Sequence, residues 1–273
     1  MTQRSRRTLA HQRQEQIASH VRRVGAVRVA ELAEQLDVSE MTVRRDLDVL
    51  DEAGLLAKVH GGATVRFDHS ADEPGFQAKL LRNTREKAAI AATAAMLTGA
   101  GAAIGITAGT TTVRLAEELV AMPRLTVVTN SIPVANVFHA APRADRTVVL
   151  VGGERTPSDA LVGPVAGASL RSFHLDTVFM GVHGMHARAG FTTPNLLEAD
   201  TNRAFVDATD QLVVVSDHTK WGLSGLATIA PLSDASVCVI DDGLPDDARE
   251  ALGAQVGRLM IANPDFVLDE RTA

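Results

Sequence analysis

Residues 38–50 read Val38-Ser-Glu-Met-Thr-Val-Arg-Arg-Asp-Leu-Asp-Val-Leu50, and this stretch decides how the first part of the chain folds. Ser39 is an N-cap, because its hydroxyl accepts from the unpaired amides of a first helical turn. Glu40 then lies where the positive end of the helix dipole favours an anion. Thr42 rather than Glu or Gln stands at the third position, so the capping box is incomplete. Val43, Leu47 and Leu50 recur at helical spacing and define a buried stripe. At about 100° per residue, Met41, Arg45 and Asp48 point away from that stripe, with Thr42 and Arg44 on its flanks. Charges in such places face solvent on an ordinary surface helix. In a DNA reader they face a major groove, which admits one helix. The flanking sequence distinguishes the two.

Ile17, Val21 and Val24 share a face within Leu9–Val24, which predicts a first helix ended by Gly25. Ala26–Val29 is short and extended. Glu31–Leu36 is a second helix with Leu32, Ala33 and Leu36 inward, and Asp37-Val38 turns into the third. Two helices joined by so short a turn make a helix-turn-helix, whose second helix enters the groove. After Gly54, Leu55–Val65 alternates around Gly61-Gly62 as a β-hairpin does. Such a wing carries Lys58 and His60 toward a phosphate backbone.

Charge distribution supports a nucleic-acid partner although the net charge of −6 does not. Residues 1–66 hold eleven Lys and Arg against nine Asp and Glu, and the remainder sixteen against twenty-four. Within Met1–Arg28 there are seven Arg and a single carboxylate, Glu15. A basic end on an acidic body suits an arm for nucleic acid, and suits a solvated tail equally well. The 273 residues are 45% apolar, enough for a substantial core. No apolar run reaches the length of a membrane span, and the Arg-rich start is not followed by a signal-peptide core. A cytoplasmic protein without membrane contact is expected. Cys238, the single cysteine, falls in the apolar run Val237–Ile240 and reads as a buried strand thiol.

Three separated motifs carry a resemblance. Arg13, Ile17 and Val21, then Ser39-x-x-Thr42-Val-Arg-Arg-Asp-Leu47, then Gly54-Leu-Leu and Val59-His-Gly-Gly-Ala63, are similar to the N-terminal domain of DeoR-type transcriptional regulators. The resemblance implies a winged helix-turn-helix, a small α+β domain over 1–65, that binds double-stranded operator DNA as a homodimer or homotetramer. Carried onto this chain, it makes Ser39, Thr42, Arg44 and Arg45 the main DNA-facing residues. Met41 is added by its angle, and Lys58 and His60 by the wing. Asp46 also matches, but its angle sets it beside the core stripe, where it would orient an Arg or a neighbouring helix. A carboxylate there does not meet phosphate.

Residues 66–76 lack periodicity and read as a linker. Beyond it, over 77–273, apolar strands alternate with helices, which predicts a mostly parallel sheet in an α/β domain. Ligands of such sheets bind beyond the carboxyl ends of the strands, and four loops fall there. Thr107-Ala-Gly-Thr-Thr-Thr112 offers amides and hydroxyls at a helix N-terminus, including Gly109, Thr110, Thr111 and Thr112, a site for phosphate. It lacks the Walker ending, and Gly99-x-Gly101 lacks the third glycine of a dinucleotide fingerprint. Asn130 and Ser131 follow the next strand, Gly152 and Gly153 the one after, and Asp217–Gly222, with Lys220, a later one. Each loop alone is an ordinary turn; together they predict a polar ligand pocket.

The DeoR resemblance continues through Glu86-Lys87, Ala108–Thr112, Thr129–Ser131, Gly152-Gly153, Val162-Gly163, Gly181-x-x-Gly184, Gly190-x-Thr192 and Lys220-x-Gly222. It implies a sensor domain of the ribose-5-phosphate isomerase-like fold that binds a phosphorylated sugar or related metabolite. It also implies a repressor of carbohydrate-metabolism genes relieved by that effector, and no cofactor is expected. Two positions depart from the family pattern. Thr107 stands where Asp is common, and Asn202 followed by Arg203 where Lys is common. A Lys lost near a phosphate lowers affinity, and Arg203 or Lys220 would have to supply the charge. The alternative is a phosphosugar isomerase-like enzyme with an accessory DNA-binding domain. That chemistry needs a base beside the carbonyl. Thr107 and Asn202 cannot serve, which leaves Asp176, Glu198 and Asp200. His183 and His186 lack further ligands nearby, so no metal site is expected.

Overall fold

The computed structural model describes residues 10–24, 26–53, 55–59, 61–64, 76–80 and 82–265. The chain divides into two compact units, Met1–His69 and Ser70–Ala273.

The first unit is built from α1 (Ala10–Val24), β1 (Ala26–Arg28), α2 (Val29–Leu36), α3 (Glu40–Glu52), β2 (Ala57–Val59) and β3 (Gly62–Thr64). Asp37 adopts a left-handed conformation (φ 51°), and its N–H bonds to carbonyls of α2 end that helix. Ser39 accepts from Thr42 N–H and starts α3. The core combines Ile17 and Val21 of α1 and Leu32 of α2 with Val43, Leu47 and Leu50 of α3. Fully burying a side chain such as Leu47 contributes about 1.5–3 kcal/mol. The expected hairpin is β2–β3, and β1 pairs with β3 on its other side to give the order β1-β3-β2. Val29, read as extended, begins α2. Gly25 and Gly54 lie outside the described residues.

The second unit contains α4 (Phe76–Leu80), α5 (Thr84–Ala95), β4 (Ala103–Ile106), α6 (Thr110–Leu119), β5 (Thr126–Thr129), α7 (Ile132–Ala140) and β6 (Thr147–Leu150). There follow β7 (Glu154–Arg155), β8 (Leu161–Val162), α8 (Pro164–Leu170), β9 (Thr177–Gly181), β10 (Gly184–His186), β11 (Gly190–Thr193) and α9 (Leu196–Asp207). The chain continues through β12 (Leu212–Ser216), β13 (Ala227–Ala230), β14 (Ala235–Asp241), α10 (Asp246–Gly253) and β15 (Leu259–Ala262). Seven strands form a parallel sheet in the order β15-β14-β12-β9-β4-β5-β6. Side chains alternate across it, so Val213 and Val215 of β12 enter one core with α5, α6 and α7. Leu212 and Val214 enter the other with α8, α9 and α10. Strands buried on both faces read as continuous apolar runs, which is why this sheet is visible in the sequence. Cys238 is fully buried on β14, and burial pushes its thiol up to about 12.

Phe76, read as the last linker residue, instead opens α4. It is buried in the α5–α6 core, and its N–H donates to Pro157 O at 3.0 Å. An aromatic of that size is held by apolar contacts that a linker does not provide. The rest of the linker reading, residues 66–75, lies outside the described residues. The strand order also fixes where the topology reverses. From β4 the chain winds outward through β5 and β6, then returns to β9 on the other side of β4 and proceeds through β12, β14 and β15. The switch point is therefore between β4 and β9, where open α/β sheets bind ligands.

Candidate functional site

The outer face of α3 comes first. Ser39 Oγ accepts from Thr42 N–H at 3.2 Å and lies 2.9 Å from Thr42 Oγ1, so both hydroxyls brace the start of the helix. Arg44 donates to Glu40 at 3.0 Å, one turn back, with both side chains exposed. Such a pair is worth about 0.3–0.5 kcal/mol and is readily exchanged. Lys58 on β2 donates to Asp48. Arg45 is exposed and has no partner among the described residues. Met41 is 65% exposed beside it. His60 lies outside the described residues.

Asp46 is turned inward, only 3% exposed. It accepts from Arg13 Nε at 2.5 Å and Nη2 at 3.2 Å, and from Gln14 Nε2 at 2.9 Å. The hydrogen bond to Asp46 raises the Arg13 guanidinium above its ordinary value. Asp46 thus fixes α1 against α3, as its angle on the helix implied, and leaves Arg45 on the open side. A groove of about 450 Å³ runs between the two helices, edged by Met41, Thr42 and Arg45.

The second site is the carboxyl edge of the parallel sheet. Helix α6 begins after Gly109, which has no side chain to cap it. Its first main-chain bond runs from Val113 N–H to Gly109 O at 3.1 Å. The N–H groups of Thr110, Thr111 and Thr112 precede the helical ladder, and with the dipole they favour an anion. Thr112 Oγ1 donates to Gly109 O at 2.9 Å. The hydroxyls of Thr110 and Thr111 have no such partner among the described residues. This helix start stands at the switch point. A Cβ on Gly181, at the end of β9, would meet Ala108 O at 3.4 Å, so the two loops touch. Thr107 Oγ1 accepts from Gly181 N–H at 3.1 Å and ties them together. A Thr therefore does structural duty where the family pattern has Asp.

Asn130 and Ser131 are scaffold in this structure. Asn130, 1% exposed, accepts from Ala108 N–H at 3.0 Å and donates to Leu161 O at 3.3 Å. Ser131 caps α7 by accepting from Val134 N–H at 3.2 Å. Gly153 (φ 143°) is needed by the β7–β8 pairing, since a Cβ there would lie 2.4 Å from Val162 O. Gly152 is exposed at the end of the edge strand β6, two strands from β4. Lys220 ends a 3-10 turn after β12, two strands from β4 on the other side, and has no partner among the described residues. Neighbouring strands lie about 4.8 Å apart, so these outer loops start roughly 10 Å from the switch point. The four loops share an edge, but only Gly109–Thr112 stands at its centre. Arg203 is not directed to that centre, because it donates to Asp200 at 2.7 Å and to Thr228 O.

Two features of this edge were not assigned from the sequence. The Gly181–Gly184 loop was seen only as a family motif. The second feature is a buried polar cluster. Lys87, 4% exposed, donates at 2.6 Å to the carbonyls of Lys79 and of Arg82. Burial pushes it down to about 8, against the opposing pull of the Asp217 carboxylate. Asp217 accepts from Asn83 Nδ2 at 3.0 Å and from Thr219 N–H at 3.1 Å. A Lys within an Ala-rich helix was the available signal. Beside this cluster, His218 Nδ1 meets Asp241 Oδ2 at 2.6 Å. That bond raises the imidazole above its ordinary value. Burial pushes Asp241 up, but the bonds from the His218 ring, His218 N–H and Gly243 N–H bring it below the usual carboxylate range.

The carboxylates considered for an enzymatic base are placed otherwise. Asp176 accepts from Ala103 N–H at 2.8 Å at the amino end of β4, the opposite edge of the sheet. Glu198 accepts from the hydroxyls of Thr156 and Thr193 at 2.8 and 3.1 Å, and Asp200 pairs with Arg203. Among the described residues there is no group of three or more potential metal ligands, and no helix long and apolar enough to cross a membrane.

The DeoR-like helix-turn-helix domain matches residues 13–68, and the DeoR C-terminal sensor domain matches residues 82–242. The uncharacterized HTH-type transcriptional regulator YgbI of Escherichia coli is 35% identical over 92% of this chain and 97% of that protein. The lactose phosphotransferase system repressor of Staphylococcus aureus is 34% identical over 85% of this chain and 92% of that protein. Among solved structures, ribose 5-phosphate isomerase A of Neisseria gonorrhoeae aligns with 51% of this chain and 54% of its own, at a TM-score of 0.35 and 15% identity. The two domain matches and the near full-length relatives establish that this chain belongs to the DeoR family of transcriptional regulators.

Proposed function

We propose that this regulator represses carbohydrate-metabolism genes in the cytoplasm and is released from its operator by a phosphorylated sugar. The single observation behind the effector is the uncapped start of α6 at the switch point, with Gly109, Thr110, Thr111 and Thr112 as the phosphate cradle. Lys220 supplies a cation from the loop after β12. Asn130, Ser131, Gly152 and Gly153 shape the edge of the site through its backbone. The operator is read by Met41, Thr42, Arg44 and Arg45 from a helix start braced by Ser39, with Lys58 and His60 on phosphates. Residues 1–65 are the DNA-binding domain, and the sensor domain follows the linker. A relative named for a lactose phosphotransferase system supports a sugar as the effector class.

Release is a linkage effect. An effector lowers operator affinity only by its differential affinity for the conformation that does not fit DNA, and tenfold release requires about 1.4 kcal/mol. In a homodimer or homotetramer, the separation of two reading helices is the variable that half-sites test. Gel shifts with DNA from upstream of the genes adjacent to its own, against a panel of sugar phosphates and their parent sugars, test the proposal. Release by one sugar phosphate and not by its parent sugar is expected. Binding insensitive to every phosphate would overturn it.

A further inference from the structure

The outer face of α3 carries two exposed apolar side chains that polar recognition does not explain, Met41 and, two turns on, Val49, and only Met41 stands in the first turn, which reaches base edges. Met41 is the second residue of the helix and is 65% exposed, and it takes no part in the core around Val43, Leu47 and Leu50. Its neighbour one turn on, Arg45, has no partner among the described residues, whereas Arg44 and Lys58 are engaged by Glu40 and Asp48. Along this stripe the order is Met41, Arg45, Asp48, Glu52. The acidic end repels phosphates, so only the first two turns suit the floor of a groove. In a helix-turn-helix it is the N-terminal residues of the second helix that reach base edges.

The major groove offers an apolar side chain one distinctive partner, the 5-methyl group of thymine, and offers Arg the paired acceptors of guanine. We infer that Met41 packs on a thymine methyl in each operator half-site, beside a guanine bound by Arg45. Four residues of helix advance about 6 Å, and base pairs stack about 3.4 Å apart, so the two bases are one or two base pairs apart. This rests on the reading of α3 as the operator-reading helix and adds the base chemistry that the helix selects.

The test uses the full chain and duplexes selected by it from a random pool. In an enriched duplex, each thymine is replaced in turn by deoxyuridine, which lacks the methyl but keeps the same hydrogen-bonding edge. For the wild type, one position in each half-site should lose about fourfold in affinity, the factor carried by one buried methyl-sized group. Met41→Ala should be indifferent at that position, and Met41→Leu should remain sensitive. Arg45→Ala should retain the uracil effect while losing its preference for the nearby guanine. Wild-type binding equal for every uracil duplex would overturn the thymine contact while leaving operator binding intact. So would an undiminished uracil effect in Met41→Ala. A pool in which no duplex is enriched would overturn operator binding itself, and the thymine contact with it.

Discussion

Helices α3 and α6 begin in opposite ways. The first turn of α3 is closed by its own Ser39 hydroxyl, and Glu40 one residue on engages Arg44. The first turn of α6 is left open by Gly109. A closed start makes the helix a mount for side chains, and in the proposed reading α3 addresses DNA through Met41 and Arg45. An open start leaves amides and dipole unengaged, and in the proposed reading α6 addresses the effector phosphate through them. On the proposed function, one chain uses the same element with its end satisfied for reading and unsatisfied for sensing.

The largest expected effect breaks the mount. Asp46→Ala removes the carboxylate that accepts from both Arg13 and Gln14 at the α1–α3 contact, and losing hydrogen bonds to a charged group costs on the order of 1.5–3 kcal/mol. Denaturant titration of the full chain should show it, together with lost DNA binding. Next, Arg45→Ala should cost about 1–3 kcal/mol in operator affinity and relax base preference. Lys58→Ala, removing the cation proposed to meet phosphate from the wing, should weaken all duplexes by a similar smaller factor. Binding to operator and scrambled duplexes separates the two, and equal loss on both for Arg45→Ala would contradict the contrast. Ser39→Ala opens the start of α3 and should lose about 1 kcal/mol of stability, visible in thermal unfolding.

The smallest effect concerns the loop that carries Lys220. The His218–Asp241 bond raises the His218 value, so it stabilises the fold fully below the ordinary 6.5 and is lost as pH rises through the raised value. The stability difference between wild type and His218→Asn should therefore shrink as pH rises above neutrality. A difference that is constant from pH 6 to pH 9 would contradict this.

The sequence displayed what periodicity and capping encode. Ser39, the Val43–Leu47–Leu50 stripe and the apolar runs of β4, β5, β9, β12 and β14 were legible because each follows from local rules. Asp46 was legible because its angle on the helix set it against the core. The strands β7, β8, β10, β11 and β13 were not: they pair antiparallel outside the large sheet, and β7–β8 and β10–β11 follow one another with no helix between to mark them. Neither was the duty of Asn130 and Ser131, because a polar side chain at a strand end looks the same whether it meets a ligand or a neighbouring loop. Only the strand order, with β9 returning beside β4, separates Gly109–Thr112 from the three other polar loops.

Gly109→Asp makes the start of α6 resemble that of α3. The backbone at Gly109 is extended (φ 160°), so a side chain is tolerated there, and an added Cβ need only ease past Thr112 Oγ1 at 3.2 Å. The new carboxylate would accept from the first-turn amides and repel an anion. Operator occupancy measured by fluorescence anisotropy, as the releasing sugar phosphate is titrated, compares this variant with wild type. Unchanged operator affinity with release shifted at least tenfold to higher concentration is the expected result. Release of Gly109→Asp at the wild-type concentration would contradict the assignment of the effector phosphate to the open end of α6.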